Sequence, residues 1–210
     1  MPFQTEGFAD AIATIEKVSS AEVVVTVQPR VRRWLAAHVI AGALVMTAVL
    51  AFMLFSEDYE FELWSFTVAP LLAAILGGVI VEATPLERAM TPRSVRTALV
   101  REAATAAFYD HGVHATSGRT GVLVFVALRE RVVQLVGDLE VVKQLSEEAR
   151  TRQMALLTAE LPDGPRLASK LASFAPEYAA ALPVTAEDRN ELGDHVHHRR
   201  PLRSFRGHLR

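Results

Sequence analysis

Apolar residues in this chain are not spread evenly; two long runs hold much of them. Residues 34–55 read WLAAHVIAGALVMTAVLAFMLF, and residues 63–81 read LWSFTVAPLLAAILGGVIV, with no formal charge in either. A bilayer core of ~30 Å is crossed by about 20 helical residues, and both runs fit that length. A core helix of a soluble protein usually keeps a polar face; neither run has one. The pattern predicts two transmembrane helices, with Trp34 and Trp64 at run ends where amphipathic rings favour the interface. In the second run Ala69, Ala73 and Gly77 recur every fourth position, so another helix can approach closely. The simplest such neighbour is the first run, giving a helical hairpin; Pro70 lies near the start of the second helix, where a kink is tolerated.

Outside these runs the periodicity changes. In residues 4–18, Phe8, Ile12, Ile15 and Val18 fall at amphipathic helical spacing, and Ser19-Ser20 breaks it. Residues 21–28 (AEVVVTVQ) are rich in β-branched side chains and predict a strand, closed by Pro29. Pro85 and Pro92 punctuate the exit from the second apolar run. Residues 95–111 predict a helix with Val95, Leu99, Ala103 and Ala106 on one face, stopped by Gly112. Residues 121–128 (GVLVFVAL) are continuously apolar, as in a strand covered on both faces. Residues 131–138 return as a second strand, giving a hairpin around Arg129-Glu130, although Arg-Glu is a poor pair for a two-residue primed turn. Residues 139–161 predict one long helix, and 166–182 another, broken or kinked at Pro176. From 183 to 210 there is no core pattern.

Charge adds an orientation. Arg30, Arg32 and Arg33 precede the first run, and Arg88, Arg93, Arg96 and Arg101 follow the second. The loop 56–62 holds Glu57, Asp58, Glu60 and Glu62 and no basic residue. The positive-inside rule then places both termini in the cytoplasm and the loop outside a cell membrane crossed twice. The N-terminus lacks the basic start and early apolar stretch of a cleaved signal. The formal net charge of −2 gives no general pull toward nucleic acid. Without cysteine there is neither a disulfide framework nor a thiolate metal site. The basic end, with Arg199, Arg200, Arg203, Arg206 and Arg210 and no acid among them, reads as a disordered tail able to contact anionic lipid. The parts assemble as a discontinuous α/β domain (residues 1–29 and 94–182), a membrane hairpin (30–93) and a tail (183–210).

The run FYDHGVHATSGRTGVLVFVALRERVVQLVGD, residues 108–138, resembles the TPM domain family. The pattern is a helix end with Gly and His, then Arg-Thr-Gly, an apolar strand, and a second strand ending in Gly-Asp. AIATIEKVSSAEVVVTV is similar to that family's opening helix and first strand. DRNELGDHV resembles the closing segment of bacterial members that carry a membrane hairpin after the first strand. The resemblance implies an α/β sandwich, a central sheet flanked by helices, with the membrane hairpin inserted. Some members of the family are assigned acid phosphatase activity or bind a divalent metal through acidic residues, so the resemblance also implies a possible phosphoric ester hydrolase.

Candidate chemistry is sparse. Asp110 and His114 have i, i+4 spacing, which would place them on one helix face, but Gly112 falls between them. His111 suits a helix C-terminus electrostatically. Asp138 sits between a strand and a helix, where an aspartate caps the helix; strand carboxyl ends are also where α/β proteins bind ligands. Glu130 and Asp138 lie at opposite ends of the hairpin, about 25 Å apart at ~3.3 Å per residue, and cannot share an ion. Asp110 and Asp138, with His114 or His111, are therefore the one arrangement that could hold a divalent metal. Gly118 and Gly121 flank Arg119-Thr120 without a phosphate-loop or dinucleotide pattern, and Ser117 lacks a nucleophile-elbow context. His195, His197 and His198 form a short His-rich tract. Two functions follow: a membrane-anchored, non-enzymatic interaction or membrane-protein assembly module without a cofactor, or a metal-dependent hydrolase. The residues favour the first, because no acid/base constellation emerges.

Overall fold

A computed structural model describes residues 3–32, 34–184, 192 and 196–198. The chain divides into two compact units, Met1–Arg32 with Arg96–Arg210, and Arg33–Val95. The first begins with helix α1 (Phe8–Glu16), which buries Phe8, Ala11, Ile12 and Ile15. The Ser19 hydroxyl donates to the Ile15 carbonyl at 2.8 Å and its N–H to the same oxygen at 3.0 Å, so serine closes the helix it follows. Strand β1 (Glu22–Gln28) is buried at every position.

The second unit holds helices α2 (Leu35–Phe55), α3 (Ser65–Ala83) and the short α4 (Leu86–Met90), which Pro85 opens. The first two are long and apolar enough to cross a membrane, and 17% and 22% of their apolar windows are buried. They pack antiparallel: His38 meets Glu82 near one end, and Gly42 meets Ala74 farther along. The small residues make this contact. A Cβ on Gly77 would stand 2.8 Å from the Ala41 carbonyl oxygen, and one on Gly42 would stand 2.8 Å from that of Ala74. Leu35, Leu44, Phe55, Leu63, Leu71 and Leu72 remain exposed. Around the connecting loop Phe52, Tyr59, Phe61 and Phe66 form a chain of ring contacts at 6.1–6.3 Å.

The chain continues through helix α5 (Arg93–Asp110) and a 3-10 turn at Val113–Ala115 to strands β2 (Gly121–Ala127) and β3 (Val132–Gly137). The single long helix predicted for 139–161 is instead two, α6 (Leu139–Gln144) and α7 (Glu147–Ala159). Leu145 is extended and buried, and the Ser146 side chain accepts the Ala149 N–H at 3.2 Å as a new N-cap. The final helical stretch is also two, α8 (Gly164–Ala172) and α9 (Ala175–Ala181), with Pro176 in the first turn of α9 and the break before it at Ser173-Phe174.

β1 pairs in parallel with β2, from Glu22 opposite Gly121 to Gln28 opposite Ala127, and β2 pairs antiparallel with β3. The fold is thus mixed α/β, with helices predominating. Alternation along the strands feeds two apolar clusters. Val23, Val25, Val27, Val122, Val124 and Val126 join Ile12, Leu157, Leu167 and Leu171. Leu123 and Phe125 join Val100, Ala104, Ala107 and Phe108 of α5. On β3, the Val133 N–H donates to the Thr158 hydroxyl at 3.0 Å, so α7 occupies a donor of that edge strand. Within the segment 183–210, expected to lie outside the fold, His197–His198 (β4) pairs in parallel with Thr26–Val27, extending the order to β3-β2-β1-β4. His195 and residues 199–210 lie outside the described residues.

Candidate functional site

The residues that carry the sequence motif meet at one end of the sheet. Asp138 caps α6: its Oδ1 accepts the Leu139 N–H at 2.8 Å. Its Oδ2 lies 3.3 Å from Arg119 Nε, in ionic contact but outside hydrogen-bonding geometry. Arg119 takes φ 54, its carbonyl accepts the Glu140 N–H at 3.1 Å, and its Nη1 donates to the His114 carbonyl at 3.3 Å. One arginine therefore ties the 3-10 turn, the β2 entrance and the start of α6. The two motif glycines are forced by packing. A Cβ on Gly121 would fall 2.1 Å from the Val113 carbonyl oxygen, and one on Gly137 2.7 Å from Val141 Cγ1. Arg-Thr-Gly and Gly-Asp are the residues that let these junctions close.

The sequence-predicted metal residues are placed as follows. Asp110 is the last residue of α5, and Gly112 (φ 68) turns the chain before His114 in the 3-10 turn. The spacing of Asp110 and His114 therefore does not put them on one helix face. The His114 ring lies 5.1 Å from that of Tyr109 and 6.3 Å from that of Phe108. The guanidinium of Arg119 occupies the approach to Asp138 Oδ2, and a cation there opposes a second cation. Among the described residues, no group of three His, Asp or Glu is close enough to hold a metal ion.

The opposite end of the sheet was not legible as a site. There the β2–β3 turn is tied to the segment leaving β1. The Leu128 N–H donates to the Gln28 carbonyl and the Arg129 N–H to that of Pro29, both at 3.1 Å. Glu130 Oε1 accepts the Val31 N–H at 2.9 Å, and Arg96 Nη1 donates to the Glu130 carbonyl at 2.8 Å. Gln28 Nε2 donates to the Arg30 carbonyl at 3.0 Å. The turn is not a two-residue primed turn. The Arg131 N–H bonds the Leu128 carbonyl at 3.3 Å and Arg131 takes φ 50, the left-handed position that ends longer hairpin loops. Glu130 is 7% exposed. Burial pushes its carboxyl above the usual range, and the bond from Val31 offsets this only in part.

Other polar groups serve packing. Gln153, fully buried, links the Tyr178 hydroxyl (3.3 Å) to Glu177 (2.9 Å), which pairs with Arg152 at 2.7 Å. Burial raises the Tyr178 hydroxyl, which therefore stays a neutral donor. A shallow cavity of about 230 Å³ between α1 and α8 is lined by Glu6, Asp10, Ala11 and Ala168 among others, below the roughly 300 Å³ of ordinary ligand pockets.

No family model matches the chain, and no curated protein does either. Among solved structures it is similar in fold to the NMR structure of BA42 protein from the psychrophilic bacterium Bizionia argentinensis. The TM-score is 0.54 at 14% identity, over 94% of this chain and 96% of that one. At that identity the likeness concerns the fold alone.

Proposed function

We propose that the protein is a membrane-anchored, TPM-like α/β sandwich that acts as a non-enzymatic interaction or membrane-protein assembly module, held at the cytoplasmic face by a two-span hairpin. The observation that carries this reading is the parallel pairing of β1 with β2, residues separated in sequence by two long helices most of whose leucines stay exposed. Helices packed into a soluble core would bury those side chains; hydrocarbon is the environment that suits them. The unbroken apolar character, the arginine flanks and the acidic loop give the orientation, with both termini inside. The resemblance in residues 108–138 supports the TPM assignment, and the Arg-Thr-Gly and Gly-Asp positions it rests on are the ones that close junctions here. Asp138 is engaged as a helix cap and ion-pair partner, which favours an interaction role over metal-dependent hydrolysis.

The test has two arms. A tagged full chain is isolated from gently solubilised membranes, and the same preparation is assayed on a generic phosphate ester with magnesium, calcium or manganese. The account expects a stoichiometric membrane-protein partner and no turnover. Metal-dependent turnover lost in Asp138→Asn, with the melting temperature retained, would overturn it in favour of the hydrolase.

A further inference from the structure

We propose that the arginines around the β2–β3 turn form a collar that binds the phosphodiester headgroups of anionic phospholipids beside the first membrane span. The inference rests on the membrane anchoring proposed above, but on different residues from the basic tail. Arg30 and Arg32 lie on the segment that leaves β1. Arg129 and Arg131 lie on the hairpin turn, and Arg96 on α5. The backbone bond from Arg129 to Pro29, the side-chain bond from Val31 to Glu130 and the bond from Arg96 to the Glu130 carbonyl bring these three segments together. Glu130, the acid between Arg129 and Arg131, is buried and bonded to the Val31 N–H, so the turn exposes Arg131 without the acid beside it. Arg32 and Arg131 are exposed.

Covalent reach supplies the partner. Two residues separate Arg32 from Leu35, the first residue of α2, and the three steps of chain between them span at most about 11 Å. Headgroup regions extend roughly 5–8 Å beyond each side of the hydrocarbon core. A guanidinium this near the end of a span meets phosphodiesters, which it binds with two parallel N–H donors. The hairpin turn is hydrogen-bonded to Pro29 and Val31, so it is carried to the same zone.

The full chain is reconstituted into mixed phosphatidylcholine–phosphatidylglycerol bilayers, then extracted in mild detergent, and the co-purifying lipids are quantified. Wild type is expected to enrich phosphatidylglycerol over its bulk share. Arg32→Gln combined with Arg131→Gln should lose ~5-fold in preference for each charge removed, whereas Arg32→Lys with Arg131→Lys should keep most of it. Removal of residues 199–210 should leave this component unchanged. Bulk lipid ratios around wild type, or enrichment that survives the double Gln variant, would overturn the proposal. So would its loss on adding inorganic phosphate at constant ionic strength, which would identify free phosphate as the ligand. Failure of the anchoring itself would look different: alkaline carbonate would release the protein from membranes without detergent.

Discussion

At the scale of single residues, Glu130 shows how a charged side chain can be read wrongly from its neighbours. Between Arg129 and Arg131 it has the look of an exposed turn residue. It is buried instead, bonded to the Val31 N–H 99 positions away in sequence, and no local pattern reports that contact. The consequence is measurable. Its carboxyl is raised above the ordinary carboxylate range, chiefly by burial, so the folded chain holds the proton more tightly than the unfolded one. That contribution to stability is fully present below the unfolded value and is lost as pH rises through the folded value. Glu130→Gln keeps an oxygen for the Val31 N–H and removes the titration. The melting temperature of the variant, relative to wild type, should therefore be higher at about pH 7 than at about pH 4. An offset that is the same at both pH values would contradict the assignment. Asp138, in contrast, was legible: a strand followed by Asp and a helical stretch implies an N-cap, and the Leu139 N–H is bound as that reading requires. Its partner Arg119 was not, because the contact depends on a left-handed residue in a loop.

At the scale of elements, apolar patterning located β1, β2, β3 and the two long helices to within a residue or two, but not β4, whose two histidines carry no apolar pattern. It failed where a helix was interrupted. Residues 139–161 carry no Gly or internal Pro, so periodicity ran through the break. The available signal was Ser146 followed by Glu147 and Glu148, a capping serine with acids in the first turn. The junction glycines are open to direct test. Gly121→Ala forces a Cβ against the Val113 carbonyl, and overpacking of this kind costs about 1–3 kcal/mol. Gly112 has open space but φ 68, so Gly112→Ala is opposed by backbone conformation alone, at about 1–2 kcal/mol. Chemical denaturation of the two variants should rank Gly121→Ala as the more damaging; the reverse order would show that the turn, not the close approach, limits this end of the sheet. In the second unit, Gly77→Leu should separate α2 from α3, because the Ala41 carbonyl and the Gly42 Cα stand where its side chain must go. Loss of a disulfide engineered between these helices would report the separation, and its undiminished formation would contradict the packing.

At the scale of the whole molecule, the chain builds one α/β unit from two distant segments. β1 has β2 as its parallel neighbour, so the segment 1–32 cannot satisfy its backbone groups alone. Replacing residues 33–95 with a flexible linker should leave a soluble chain with a cooperative unfolding transition, whereas residues 96–210 without the N-terminal segment should not fold cooperatively. Circular dichroism melting of both fragments distinguishes the outcomes. The membrane placement of the hairpin is the central claim, and site-specific labelling tests it most directly. The native chain has no cysteine, so a single cysteine at Asp58 or at Ser173 gives an unambiguous signal with an impermeant thiol reagent on intact cells. The account predicts labelling at position 58 and protection at position 173 until the membrane is opened; labelling at 173 with protection at 58 would invert the topology, and protection of both would remove the loop from the outer face.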